Sequence, residues 1–213
     1  TYTYCFEDNW PWLGDYDMND VVIVSRIDRM TSKDGGKVSA LTINWELRAA
    51  GTTYDIAGAV QMDKVQTSDV AGVVSSHEGF GSGAFASRGL DADSPCAVIP
   101  FFNRTEELLS ASNTWKGQPA AAIRKHTTTV TFSQPVDIAL VLDSEMNFFI
   151  APKQRTSEIH MPGYAPTASG IIGKGSFLPS DPYKFFVTEG DQTKNNYMMW
   201  ALMIPGEFRY PAE

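Results

Sequence analysis

Oxygen-bearing side chains crowd one short stretch near the start of the chain: Asp8, then Asp15, Asp17, Asn19 and Asp20, within FEDNWPWLGDYDMNDVVIV. Like charges at this density repel, and a folded chain keeps them together when something offsets the repulsion. A hard cation does so, since Ca²⁺ takes six to eight oxygen ligands at about 2.3–2.6 Å. Carboxylates with one amide oxygen suit such an ion and do not suit zinc, which prefers nitrogen and sulfur. The alternative is that these residues are turn formers, with Asp20 capping backbone N–H groups.

Asp15-x-Asp17-x-Asn19 has the spacing of the first three ligands of an EF-hand loop, but the rest of that loop is missing. Its sixth position, normally Gly, is Asp20, and its twelfth, normally Glu, is Arg26. Strand-like sequence begins at Val21, so no helix flanks the run. A different geometry is expected. Gly14 opens a tight loop, Asp15, Asp17 and Asn19 turn inward, and Asp20 anchors the entry to the next strand. Glu7 and Asp8 reach in from the preceding strand end, while Trp10-Pro11-Trp12 stiffens the loop. The expected metal set is Glu7, Asp8, Asp15, Asp17, Asn19 and Asp20, holding a structural Ca²⁺. A catalytic metal would need a partner base that no motif supplies.

Other chemistry finds little footing. His77, His126 and His160 are far apart and show no metalloprotease spacing. No G-x-S-x-G elbow exists, and Gly170-Ile171-Ile172-Gly173-Lys174-Gly175-Ser176 breaks the order of a phosphate loop. No spacing selects a carboxylate pair for glycoside hydrolysis. Trp10, Trp12, Trp115 and Tyr164 sit in Pro- or Gly-rich contexts. Such aromatics can stack on sugar rings, which makes Trp10, Trp12 and Tyr164 a candidate ligand surface. The competing expectation is loop packing over sheet ends.

The elements that must position these groups read as strands. Leu41, Ile43, Trp45 and Leu47 alternate with Thr42, Asn44, Glu46 and Arg48, the period of a half-buried strand. Val21-Val22-Ile23-Val24 is continuously apolar, as in a strand covered on both faces. Asp34-Gly35-Gly36 between them predicts an antiparallel hairpin. TYTYCF at the start is strand-like too. Further strands are expected at Tyr54–Met62, Ala97–Phe102, Thr127–Phe132, Val136–Leu142, Phe148–Ala151, Phe185–Val187 and Met198–Ile204. One short helix is expected, with Thr105 as N-cap ahead of Glu106, Glu107, Leu108 and Leu109. Thr67–Pro95 reads as a long, small-residue-rich loop. Many short strands between turn residues predict an all-β fold: a two-sheet antiparallel sandwich with jelly-roll-like connections, as one domain over residues 1–213.

With 213 residues and 43% hydrophobic content, one sizeable core is affordable and disorder is not expected. A net charge of -8 argues against nucleic acid and anionic membrane as partners. Cys5 and Cys96 make no disulfide framework. They are expected as unpaired thiols, a single bridge being the alternative. No apolar run reaches the roughly 18 residues of a membrane span. The opening directly in strand sequence suggests a domain excised from a larger protein.

FEDNWPWLGDYDMNDVVI resembles the opening motif of the LruC-type domain family (domain of unknown function 4842) of exported bacterial proteins, many from the Bacteroides group. Glu158-Ile159-His160-Met161-Pro162-Gly163-Tyr164-Ala165-Pro166-Thr167 and Trp200-Ala201-Leu202-Met203-Ile204-Pro205, leading to Phe208-Arg209-Tyr210-Pro211, extend the likeness over nearly the whole chain. The opening string is also similar to the D-x-D-x-N-D motif of other exported β-domains, for which calcium is the usual expectation. The resemblance implies export, as a cell-surface lipoprotein or in the periplasm, and a β-rich fold. It implies no reaction. The expectation is therefore a non-catalytic, calcium-stabilised binding or adhesion domain, with a glycan or surface protein as partner and no membrane insertion of its own. A carbohydrate-binding module is the alternative, and a hydrolase a more distant one. Glu158 or His160 is expected as an additional approach to the acidic pocket.

Overall fold

The computed structural model describes residues 1–10, 15–109, 113–114, 122–170, 186–188 and 197–208. Twelve strands are found among them. In chain order these are β1 (Tyr2–Phe6), β2 (Val21–Thr31), β3 (Lys37–Ala49), β4 (Ile56–Gln66), β5 (Val70–Ser75) and β6 (Cys96–Phe102). There follow β7 (His126–Asp137), β8 (Met146–Pro152), β9 (Ile159–His160), β10 (Phe186–Thr188), β11 (Tyr197–Met199) and β12 (Ala201–Pro205). They build a six-stranded sheet in the order β12-β1-β2-β3-β7-β5, a four-stranded sheet in the order β6-β4-β8-β9, and the ribbon β10-β11. Every pairing is antiparallel.

Side-chain alternation explains how the two larger sheets meet. Leu41, Ile43, Trp45 and Leu47 all point inward from β3, none more than 2% exposed. They join Phe101, Phe102, Phe148 and Ile150 from the four-stranded sheet in one apolar core. Tyr4 stacks on Phe148 with ring centroids 4.0 Å apart, and Trp45 lies 5.1 Å from Phe101. The sandwich expected from the period-two pattern is thus present. Val21–Val24 is buried on both faces because Ile23 enters the main core while Val22 joins Cys5 and Ala49 in a second cluster, under Met18, Leu202 and Ile204.

The β2–β3 hairpin forms with Gly35 in the left-handed region (φ 75°), where a side chain would be strained. Asp34 Oδ1 accepts the Gly36 N–H at 3.1 Å. Other expectations shift. Thr127–Phe132 and the start of Val136–Leu142 are one strand, β7, because a register break opposite Val38/Ala40 absorbs the intervening residues. The rest of Val136–Leu142 is a 3-10 turn at Ile138–Leu140. Thr105 is not an N-cap: Arg104 holds that place, and Thr105–Glu107 is a single 3-10 turn. The Thr67–Pro95 excursion contains β5, whose Val-Ala-Gly-Val-Val run is too short for a periodic signal. β4 begins at Ile56 and not at Tyr54, since Thr52 Oγ1 accepts the Tyr54 N–H in a turn at 2.9 Å. Met198–Ile204 divides into β11 and β12 at the fully buried Trp200.

Cys5 and Cys96 are both free. No helix among the described residues is long and apolar enough to cross a membrane.

Candidate metal centre

Glu7 follows directly on β1, its N–H donating to Trp200 O at 2.9 Å. The strand end therefore delivers this carboxylate at a fixed height beside the loop that leads into β2. In that loop Tyr16 and Met18 both adopt φ 58°. Two non-glycine residues in the left-handed region cost on the order of 1–3 kcal/mol each, so the surrounding structure must hold them. Alternating them with Asp15, Asp17 and Asn19 turns the Tyr16 and Met18 amides toward Glu7, and the Met18 N–H donates to Glu7 Oε1. Backbone N–H groups arranged this way make a small anion-holding concavity. Tyr16 is held edge-on to Trp200, ring centroids 5.3 Å apart.

The result is a cluster of three carboxylates. Glu7, Asp15 and Asp17 each offer an oxygen, and these oxygens lie within 4.8 Å of one another. Such separations suit oxygens sharing a cation at about 2.3–2.6 Å. Glu7 is 1% exposed, and its Oε2 is buried with no hydrogen-bond partner. An ionised oxygen in that condition is costly unless a positive charge faces it. Burial pushes the Glu7 carboxyl up to about 7; the Met18 N–H works against this, and the charges of Asp15 and Asp17 add to it. Asp15 is exposed and Asp17 half-buried, so the cluster opens to solvent on one side. The donor set is all oxygen, and a hard divalent cation fits it.

The other three expected ligands are placed differently. Asn19 turns its amide onto Asp17, whose Oδ1 also accepts the Asn19 N–H at 3.2 Å. Asp20 Oδ2 accepts the Asp8 N–H at 2.8 Å, the capping role foreseen as the alternative for this residue. Asp8 in turn accepts from the Thr52 hydroxyl. Burial raises the Asp20 carboxyl to about 8, with Asp8 and Glu7 adding to it, and raises that of Asp8 as well. Among the six residues, Glu7, Asp15 and Asp17 thus form a trio, beside the buried Asp20 and the half-buried Asp8, with Asn19 bonded to Asp17 as the brace.

Of the candidate aromatic surface, Trp10 is only 7% exposed and packs in the core, so it presents no stacking platform. Tyr164 is half-buried, its hydroxyl donating to Ser144 O at 2.9 Å. Trp12, Trp115 and the loop-opening Gly14 lie outside the described residues.

Glu158 and His160 do not extend the acidic pocket but belong to a separate buried network. Glu158 accepts from the Thr167 N–H at 2.8 Å and from the Thr167 hydroxyl at 2.5 Å, and Arg155 donates to it as well. Arg155 also reaches Asp91 at 2.9 Å and lies over the Phe85 ring, 4.5 Å from its centroid. Nothing in the one-dimensional spacing joins residues 91, 155, 158 and 167, so this network was not foreseen. Thr52 was likewise missed, as an unremarkable threonine in a turn.

The fold and the cluster define an antiparallel two-sheet β-domain with an acidic, oxygen-only candidate cation site at one strand end. The profile of the family described as Domain of unknown function (DUF4842) matches residues 36–213, and the chain belongs to that family. The match contains the two later strings noted above, while the acids of the opening string precede it. No curated protein matches the chain. In structure the chain is similar to a Bacteroides ovatus protein described as a "putative lipoprotein", with TM-score 0.69 and 18% identity. That likeness covers 98% of this chain and 65% of the other, so the chain spans under two thirds of its structural relative.

Proposed function

We propose that this is a non-catalytic binding or adhesion domain of an exported, surface-anchored or periplasmic protein, stabilised by Ca²⁺ at Glu7, Asp15 and Asp17. The observation that carries the metal reading is Glu7 Oε2, buried without a partner beside two more carboxylates. A bound cation would supply the missing positive charge and fasten the loop to the end of β1. The lipoprotein description of the structural relative supports export, as does the Bacteroides-type likeness of the opening string.

The test is thermal unfolding of the chelated protein with and without added Ca²⁺. A ligand bound only by the native state at a hundredfold excess over Kd adds about 2.7 kcal/mol. For a domain of this size that is about 5–10 °C in Tm. Glu7→Gln and Asp17→Ala should abolish the gain. No calcium-dependent shift in the wild-type protein would remove the reading.

A further inference from the structure

We infer that Gly51 and Thr52, which follow β3, are positioning residues for the acidic loop, holding it in the conformation from which Glu7, Asp15 and Asp17 converge. This rests on the calcium reading above but concerns residues that donate no ligand. The Gly51 N–H donates to both Asn19 O, at 3.0 Å, and Asp20 O, at 3.1 Å. A Cβ at Gly51 would lie 2.1 Å from Asn19 Oδ1 and 3.0 Å from the Asn19 carbonyl oxygen. The need for glycine here is therefore one of space. Asn19 is 2% exposed, and because its carbonyl oxygen is also at the close distance, relief of the contact has to involve its backbone.

Displacement of Asn19 does not stay local. Its N–H and side-chain amide both bond Asp17, a member of the trio, so moving Asn19 moves a ligand. Thr52 acts on the other flank: its hydroxyl donates to Asp8, whose N–H is bonded by Asp20. The approach of these two residues is itself fixed. Asn113 Oδ1 accepts the Ala50 N–H at 3.1 Å, and its Nδ2 donates to Arg48 O at 2.7 Å, bracketing the end of β3. The family-matched part of the chain thus carries the clasp, and the segment ahead of it carries the acids.

Calorimetric titration of Ca²⁺ into the chelated full chain tests this. Gly51→Ala should bind about tenfold more weakly or worse, near 1.4 kcal/mol, with every ligand intact. Thr52→Val, which keeps the side-chain shape, should weaken binding by several-fold and serves if Gly51→Ala does not fold. Asn19→Ala removes the atom nearest the new methyl, so adding Gly51→Ala to that background should cost markedly less than in the wild type. Wild-type affinity in both Gly51→Ala and Thr52→Val would overturn the inference, as would equal losses from Gly51→Ala in the two backgrounds.

Failure of the calcium reading is visible separately, as no binding heat from the wild-type protein. Amide exchange in chelator then decides the positioning role. Faster exchange over Asp15–Asp20 in Gly51→Ala, with a smaller added effect of the same change in the Asn19→Ala background, supports it; exchange unchanged by Gly51→Ala overturns it.

Discussion

His160 Nε2 stands 3.0 Å from Glu158 Oε2, with neither side chain exposed to solvent. On its other side, His160 Nδ1 is 2.7 Å from Asn147 Oδ1. The Asn147 orientation is fixed by its Nδ2, which donates to Asp63 Oδ1 at 3.0 Å and Ala165 O at 2.9 Å. This pair ties β8, β9 and the segment reaching Thr167 into one unit.

Loss of Glu158 is expected to be severe. Burial by itself raises its carboxyl, yet hydrogen bonds from His160 and Thr167, with the charges of His160 and Arg155, outweigh that and hold it below the usual range. A carboxyl depressed in the folded state contributes stability that is present above its unfolded pKa, about 4.3, and is lost as pH falls through the folded value. Glu158→Gln should cost about 1.5–3 kcal/mol at pH 7, since it weakens the charge-assisted bonds from Arg155, Thr167 and His160 while Arg155 keeps Asp91. Denaturant titrations should show the gap to wild type narrowing at acid pH. A constant gap would contradict the ionic account.

The acidic loop should give the opposite pH dependence once calcium is removed. Glu7 titrates near 7 and Asp20 near 8 in the fold, both raised by burial, so the folded state binds protons more tightly than the unfolded chain. The chelated protein should lose stability as pH rises from about 4.5 to 8. Glu7→Gln should flatten part of that slope and be the more stable apo protein at pH 8. Added Ca²⁺ should restore the wild type alone. Melting curves across pH, with chelator and with Ca²⁺, make the comparison.

The inter-sheet core predicts a steep cost for Phe148→Ala. Phe148 is fully buried and its ring is inclined 16° to that of Tyr4. Removing a buried aromatic typically costs about 3–5 kcal/mol. Thr128→Val is a finer probe, because it strips Trp45 Nε1 of its acceptor at 3.0 Å in a buried setting. That should cost about 1–3 kcal/mol, read from the denaturation midpoint at unchanged m-value.

Both cysteines should titrate as thiols under native oxidising conditions, and reductant should leave Tm unchanged. Cys5 is 1% exposed and burial pushes its thiol up to about 11, so its alkylation should be slow and limited by unfolding. Cys96, half-buried at the start of β6, should react first. Peptide mapping after timed alkylation separates the two.

Local pattern was enough for much of the sandwich. The alternation through Leu41–Arg48 named the inward face residue by residue, because strand side chains must alternate and water excludes one set. The apolar run Val21–Val24 named a strand covered on both sides, and Asp34-Gly35-Gly36 named its turn. Where the chain lacked such periodicity, the reading failed. β5 is six residues without alternation inside a small-residue excursion, and the 3-10 turn at Thr105–Glu107 has too few residues to distinguish it from the start of a helix.

What the sequence determined by itself was the concentration of charge: acids packed between two strand-forming runs must either meet a cation, share protons or spread apart. Only the tertiary structure decided which of them converge. The choice depends on the left-handed turns at Tyr16 and Met18 and on Trp200, Gly51 and Thr52, which reach the loop from distant strand ends. The same holds for Glu158, whose partners come from Thr167, Arg155 and His160 once β8 and β9 have paired. Charge density is written along the chain, but a coordination geometry exists only after backbone torsions and long-range packing bring the oxygens to one point.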